Sequence, residues 1–380
     1  MGNGASFPYV AGGGRSSTPD PPVRGSMVGG HRAGPHYCVG CSRHEGDPIE
    51  VRQAKGLARQ LVSQERFRAP VGWQWGHFRN VDGAQLRYGW SQPKSQTDLT
   101  AVLLPAYQSP AEALFETARD LLNAGIAVWV LDWRGQGGSE RWLVDSQKSY
   151  SIGLDRDARD LFQFTTRVVE RPNDTRLVMI GESLGGLIGF RVLHDHPGLF
   201  RAAAFSSPAI RFKTGRYPEW LVRGLSSFVV TSGMGQAYMF GQGDWKFDPG
   251  AGERTDPISD DRARAMASQG WLLLDPNLRQ GGATYSYIHA LFGSSDMEQA
   301  PGWMESIGAP VLIGEDPDDH IASASAMERA CARLPHCTLA QFPGTRHALF
   351  SDADPYRARW IRILVEFLRA TTSPSMRGGP

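Results

Sequence analysis

A serine in a glycine-rich pentapeptide is the strongest chemical signal in the chain. Ser183 is the central residue of Gly181-Glu182-Ser183-Leu184-Gly185, a G-x-S-x-G pattern. An apolar run over residues 176–180 precedes the pattern, and a segment with helical spacing over residues 187–193 follows it. A serine on a sharp turn between a strand and a helix projects its hydroxyl at the carboxyl end of a sheet. The backbone N–H of Leu184, at the helix N-terminus, can then bind developing negative charge.

A serine hydroxyl is a weak nucleophile at neutral pH, so it needs a base within hydrogen-bond reach, and the base needs an orienting acid. In chains with this turn, the acid and then the histidine follow the serine. His347 lies just after the last predicted strand and before an amphipathic helix, where a loop can place an imidazole over the sheet. We therefore predict that His347 is the base, the alternative being a surface histidine without a catalytic role.

Four acidic residues follow the apolar run 310–313, and only one of them can hold the imidazole. They are Glu315, Asp316, Asp318 and Asp319. Chain geometry alone does not separate Asp316 from Asp319. A second oxyanion donor is expected in the loop after the strand 100–105, and there we nominate the N–H of Tyr107.

Alternating strands and helices position these residues. Apolar runs joined by short loops and helical segments predict an α/β fold with a mostly parallel sheet flanked by helices. Residues 75–90 alternate around Asp82-Gly83, which predicts a hairpin at the antiparallel edge of that sheet. The alternation stops over residues 209–305, which read as a helical cap or lid inserted after the strand that follows the nucleophile helix. The predicted organisation is a disordered tail (1–47), a first core part (48–208), the cap (209–305), a second core part (306–370) and a flexible C-terminus (371–380).

Charge and composition exclude several classes of protein. The 380 residues include 40 basic and 39 acidic side chains, a net charge of +1 that does not favour a nucleic-acid partner. No apolar stretch reaches the ~20 residues of a membrane span. The chain has no recognisable secretory signal, and four cysteines suggest no disulfide framework, so we predict a cytoplasmic protein with reduced cysteines. A cluster in the tail, His36, Cys38, Cys41 and His44, has poor spacing for a metal site, and we expect no metal or cofactor.

Four segments carry a resemblance to a known family. They are Asp132–Ser139 (DWRGQGGS), Gly181–Gly186, Pro343–His347 and, within the predicted cap, Gly281–Tyr285. Over residues 72–370 the chain resembles the lysophospholipase L2 and monoacylglycerol lipase-like branch of the α/β-hydrolase superfamily. The resemblance implies that Asp319 is the acid, with Asp316 in reserve. Relatives usually carry glycine where Ala106 stands, and a Cβ here would resist a positive φ in the loop after the strand 100–105 (residues 105–110, the oxyanion loop). Either this loop adopts a conformation that alanine tolerates, or the oxyanion hole is altered.

The expected activity is hydrolysis of carboxylic esters by Ser183, His347 and Asp319, with the N–H groups of Leu184 and Tyr107 as oxyanion donors. The resemblance implies a lysophospholipid or monoacylglycerol-like substrate and at most transient contact with a membrane surface. The alternatives are other chemistry of the same superfamily (a thioesterase, perhydrolase or carbon–carbon hydrolase) and a non-catalytic ligand-binding relative. The sequence does not predict the oligomeric state.

Overall fold

A computed structural model describes residues 49–95, 97–170, 175–253 and 256–372. Eight strands form one sheet in the order β1-β2-β4-β3-β5-β6-β7-β8. The pairs β1–β2 and β2–β4 are antiparallel, and the remaining pairs are parallel. The strands are β1 (Gln74–Arg79), β2 (Gln85–Ser91), β3 (Leu99–Leu104), β4 (Ala127–Leu131), β5 (Arg176–Glu182), β6 (Ala202–Ser206), β7 (Val311–Glu315) and β8 (Cys337–Gln341). The predicted α/β-hydrolase fold is confirmed, with the hairpin at the sheet edge.

Helices cover both faces of the sheet. They are α1 (Ile49–Val62), α2 (Phe115–Asn123), α3 (Asp155–Arg167), α4 (Leu184–Asp195), α5 (Glu219–Thr231), α6 (Arg262–Leu274), α7 (Tyr285–Gln299), α8 (Ala324–Arg333) and α9 (Asp354–Thr372). Because successive side chains of a strand point to opposite faces, the central strands supply two apolar layers. Val102 of β3 packs in the layer with α3, α4 and α8, and its neighbour Leu103 packs in the layer with α2 and α9. This double burial explains why the central strands read as continuous apolar runs.

Residues 209–305, called the inserted segment below, leave the sheet after β6 and return before β7. Within this segment α5 packs against α7, and α6 packs against α1 at the start of the described chain. The buried guanidinium of Arg264 on α6 bonds Glu116 on α2 (2.8 Å) and the backbone carbonyl of Asp352 (2.8 Å). One helix of the inserted segment is therefore tied to the core by charged contacts. Its interpretation as a cap stays a prediction.

A disulfide joins Cys331 near the end of α8 to Cys337 at the start of β8, with an S–S distance of 1.97 Å. The expectation of reduced cysteines is wrong for this pair, because the turn after α8 brings the two Cα atoms to 5.3 Å. No helix in the described ranges is long and apolar enough to cross a membrane. The predicted tail and its His36, Cys38, Cys41 and His44 cluster lie outside the described residues. The cytoplasmic location stays a prediction.

Candidate active site

Ser183 occupies the turn between β5 and α4 in a backbone conformation that residues other than glycine rarely adopt, with φ 51° and ψ −108°. Flanking glycines allow this turn. A Cβ on Gly185 would lie 2.6 Å from the carbonyl oxygen of Leu104, and a Cβ on Gly181 would lie 2.9 Å from the carbonyl carbon of Gly185. The G-x-S-x-G pattern therefore marks a close approach of backbones that holds the serine at the carboxyl edge of the sheet.

Ser183, His347 and Asp319 form one buried hydrogen-bonded chain. Nε2 of His347 lies 2.8 Å from Oγ of Ser183, and Nδ1 of His347 lies 2.7 Å from Oδ2 of Asp319. The three residues are 7%, 4% and 1% exposed. These distances are those required for proton transfer between a hydroxyl and a base oriented by an acid.

The second carboxylate oxygen of Asp319 is also engaged. Oδ1 accepts hydrogen bonds from the N–H groups of Ile321 (2.7 Å) and Ala322 (3.0 Å). Burial on its own raises the pKa of Asp319. The hydrogen bond to His347, its charge and the two backbone donors outweigh burial and hold that pKa below its usual value. Asp319 is thus ionised at neutral pH.

Two other acidic residues at the end of β7 and just after it have different surroundings. Asp316 accepts a hydrogen bond from the N–H of Asp318 (3.2 Å). Glu315 is buried at the end of β7, and burial raises its pKa to about 7. The structure places Asp319, and not Asp316, beside His347.

The inserted segment braces both loops that carry these side chains. Nζ of Lys213 donates to the carbonyl of Asp319 (2.5 Å). On the other loop, the N–H of His347 donates to the carbonyl of Pro257 (3.2 Å), and the N–H of Ala348 donates to that of Ile258 (2.9 Å). The loops that carry Asp319 and His347 are therefore both in contact with the inserted segment.

The two predicted oxyanion donors lie on elements that start at the same sheet edge. Leu184 is the first residue of α4, where a backbone N–H has no partner within its own helix. Tyr107 follows β3, in a loop whose Pro105 carbonyl accepts a hydrogen bond from the indole N–H of Trp133 (2.8 Å). The next N–H, of Gln108, donates to Oε1 of Gln136 (2.8 Å) and is not available to a substrate.

The backbone of the oxyanion loop agrees with the first of the two expectations for Ala106, a conformation that alanine tolerates. Among the described residues other than glycine, a positive φ occurs at Gln108 (60°), Ser183 (51°) and Ser207 (43°). Ala106 therefore does not have a positive φ. The left-handed residue of this loop is Gln108, two positions later. Sequence reasoning missed Gln108, since a glutamine gives no local signal for that conformation.

Glu182, next to the serine, is a second feature that the sequence reasoning left without a role. Its side chain is buried (5% exposed), and Oε1 has no hydrogen-bond partner among the described residues. Burial raises its pKa to about 7, against the opposing effects of His347 and the N–H of Phe350. The sequence did contain a signal for this residue, since an acidic side chain stands directly before the predicted nucleophile.

The arrangement supports nucleophilic substitution at an acyl carbon. Serine supplies the nucleophile, histidine a base that faces it, and aspartate a charge that stabilises the imidazolium. Within the described ranges no group of three or more His, Cys, Asp or Glu side chains is placed to hold a metal ion.

Comparison with known proteins identifies the family of the chain. A sequence profile of the hydrolase family described as serine aminopeptidase, S33 matches residues 95–354, more than half of the chain. Lysophospholipase L2 of Escherichia coli (strain K12) is 24% identical over 309 residues, which cover 78% of this chain and 88% of that protein. A monoacylglycerol lipase of Mycolicibacterium smegmatis is 24% identical over 286 residues, covering 73% and 91%.

Solved structures share the fold. A soluble variant of monoglyceride lipase from Saccharomyces cerevisiae, in complex with a substrate analog, superposes with a TM-score of 0.64 at 18% identity, covering 82% of this chain and 100% of that one. A monoacylglycerol lipase from Paleococcus ferrophilus superposes with a TM-score of 0.57 at 20% identity, covering 76% and 99%.

Proposed function

Because the chain belongs to the serine aminopeptidase S33 family of α/β-hydrolases, we propose that it hydrolyses carboxylic esters through a triad of Ser183, His347 and Asp319. The observation that carries the proposal is the buried chain of two hydrogen bonds, 2.8 Å and 2.7 Å, that joins these side chains. The strained backbone of Ser183 supports it, since such strain is retained where it serves a function.

In the proposed reaction Oγ of Ser183 attacks the ester carbonyl carbon while Nε2 of His347 accepts the hydroxyl proton. The resulting oxyanion is bound by the N–H groups of Leu184 and Tyr107. His347 then returns the proton to the leaving alkoxide, and an acyl-enzyme and a free alcohol result. Water deacylates Ser183 by the same steps, with His347 again taking and returning the proton. Asp319 stays ionised throughout and stabilises the imidazolium.

The substrate we propose is a lysophospholipid or a monoacylglycerol-like ester. The support comes from relatives whose names specify lysophospholipase and monoacylglycerol lipase and which match over most of their lengths. We also propose that the inserted segment acts as a cap. Its Lys213, Pro257 and Ile258 contact the loops of Asp319 and His347, so it lies close to the triad.

The test compares four substrates: a 1-acyl lysophospholipid, a monoacylglycerol, a short p-nitrophenyl ester and an aminoacyl p-nitroanilide. The wild type should cleave one or more of the esters, and Ser183→Ala should lose at least about a thousandfold in kcat. Ser206→Ala is the matched control, because it removes a buried hydroxyl that has no partner in the described structure. The control should keep its activity within a few-fold.

Two outcomes would overturn the proposal. One is a Ser183→Ala variant as active as the Ser206→Ala control. The other is a folded wild type that is silent on all the esters. Labelling with a fluorophosphonate then separates the alternatives, because a thioesterase, perhydrolase or carbon–carbon hydrolase labels at Ser183 and a non-catalytic relative does not.

A further inference from the structure

The carbonyl oxygen of Gly281, in the inserted segment, accepts hydrogen bonds from the oxyanion loop and from a second core loop, which holds Ser149. Nε2 of Gln108 donates to it (2.6 Å), and so does Oγ of Ser149 (2.8 Å). The phenol of Tyr107 donates to the same Ser149 hydroxyl (2.8 Å). The two consecutive side chains of the oxyanion loop are thus connected to one backbone carbonyl of the inserted segment.

Further contacts fix that carbonyl in place. The N–H of Gly281 donates to the carbonyl of Gln147 (2.7 Å), and the N–H of Gly282 donates to that of Gly243 (2.8 Å). A Cβ on Gly281 would lie 2.6 Å from the Gly243 carbonyl oxygen, so the backbones approach more closely than any other residue type would allow. The acceptor of the Gln108 amide is therefore held from both sides.

Gln108 itself is strained, because its φ of 60° is unfavourable for any residue other than glycine. Such a conformation persists when its surroundings over-determine it. Here its backbone N–H is held by Gln136, and its side-chain amide by the carbonyls of Gly281 and Gln280 (3.2 Å). The loop is also fixed at its other end, where Trp133 binds the carbonyl of Pro105.

We infer that Gln108 is a positioning residue through which the inserted segment holds the Tyr107 N–H in the geometry that binds the oxyanion. The inference rests on the proposed function, since it assumes that this N–H stabilises the tetrahedral intermediate. The side chain of Gln108 acts on the loop alone, because its amide is already bonded to protein carbonyls. Its loss should therefore affect the transition state and leave ground-state binding of substrate nearly unchanged.

Gln108→Gly is the test, because glycine accepts φ 60° without strain and the variant loses only the side-chain contacts. We expect kcat on the best ester to fall about 10- to 100-fold, with KM within about threefold. Affinity for a trifluoromethyl ketone with the same acyl chain should fall by a similar factor, because its adduct with Ser183 carries the oxyanion. Gln299→Ala is the control, since its side-chain amide also donates to a backbone carbonyl of the inserted segment (Ser295, 3.0 Å) and lies outside the oxyanion loop.

A folded Gln108→Gly variant with unchanged kcat and unchanged affinity for the ketone would overturn the inference, and so would a rise in KM alone. If Gln108→Gly does not fold, Gln108→Met decides, since it keeps a side chain of similar length and removes the amide that donates to the carbonyls of Gly281 and Gln280. The same loss in kcat and ketone affinity supports the inference, and wild-type values overturn it. A wild type that hydrolyses no ester is a failure of the proposed function, and the two failures are therefore distinguishable.

Discussion

Replacing Asp319 with asparagine should disable the base while preserving the shape of the site. Two backbone N–H groups, of Ile321 and Ala322, point at Oδ1 and require an acceptor there. In Asp319→Asn the amide oxygen must take that position, so the NH₂ group faces Nδ1 of His347 at the site of the present 2.7 Å contact. Nδ1 must then be an unprotonated acceptor, which leaves the ring proton on Nε2.

A proton on Nε2 points at the hydroxyl of Ser183, so the imidazole cannot accept the serine proton. A wrong tautomer of this kind lowers kcat by about 10⁴-fold in a serine protease with the same geometry. We expect a loss of about that size in Asp319→Asn. The assay is the steady-state hydrolysis of the best ester from pH 6 to pH 10, with thermal unfolding measured in parallel.

Asp316→Asn is the matched control, because Asp316 lies on the same loop and its carboxylate bonds the N–H of Asp318 and not the imidazole. It should stay within a few-fold of wild type. An Asp319→Asn variant that keeps more than a tenth of wild-type kcat, or an Asp316→Asn variant that loses as much as Asp319→Asn, would refute the assignment of the acid.

Two further predictions concern stability. Gly185→Ala should lower the free energy of unfolding, measured by chemical denaturation, by about 1–3 kcal/mol, because its Cβ would lie 2.6 Å from the backbone oxygen of Leu104. Gly224→Ala should raise that free energy by up to about 1 kcal/mol. Gly224 is exposed on α5, and a Cβ there would meet no atom within 4 Å apart from its chain neighbours and the backbone of its own helix. Equal effects of the two alanines would contradict the close approach at the turn. The melting temperature of Glu182→Gln minus that of the wild type should be larger at pH 8 than at pH 5. The folded pKa of Glu182 is about 7, above its unfolded value, so the folded state binds the extra proton and wild-type stability falls as pH rises through this window. A constant difference in melting temperature across that range would show that the carboxyl group is not buried as described.

The sequence was sufficient to predict the local structure around Ser183. The glycines at 181 and 185 and the apolar run before them identify a strand-to-helix turn, and Ser183 lies on it. His347 could be nominated because it lies in the loop that follows the last strand, β8. The choice of Asp319 required a family resemblance, since Asp316 lies only three residues away and loop geometry is not readable from composition.

Contacts between distant segments could not be predicted. Gln108 and Gly281 are 173 residues apart, and neither residue type indicates that an amide will bind a backbone carbonyl there. The sequence directs attention to Ala106, because relatives carry glycine there, and it gives no signal for the left-handed conformation of Gln108. The disulfide between Cys331 and Cys337 was missed for a related reason, because the geometry of the turn after α8 decides whether the two thiols meet.

The positions where the inserted segment leaves and rejoins the sheet bear on how this enzyme class diversifies. β6 and β7 are parallel neighbours, paired from Ala203 with Val311 to Ser206 with Gly314, so the sheet is continuous without the residues that connect them. A lineage that exchanges those residues keeps the fold. It also exchanges Gly281, however, and with it the carbonyl that holds Gln108. With the roles proposed above for the inserted segment and for Gln108, substrate preference and oxyanion stabilisation change together. A segment transplanted from a relative then supports turnover only if it presents an equivalent acceptor to the oxyanion loop.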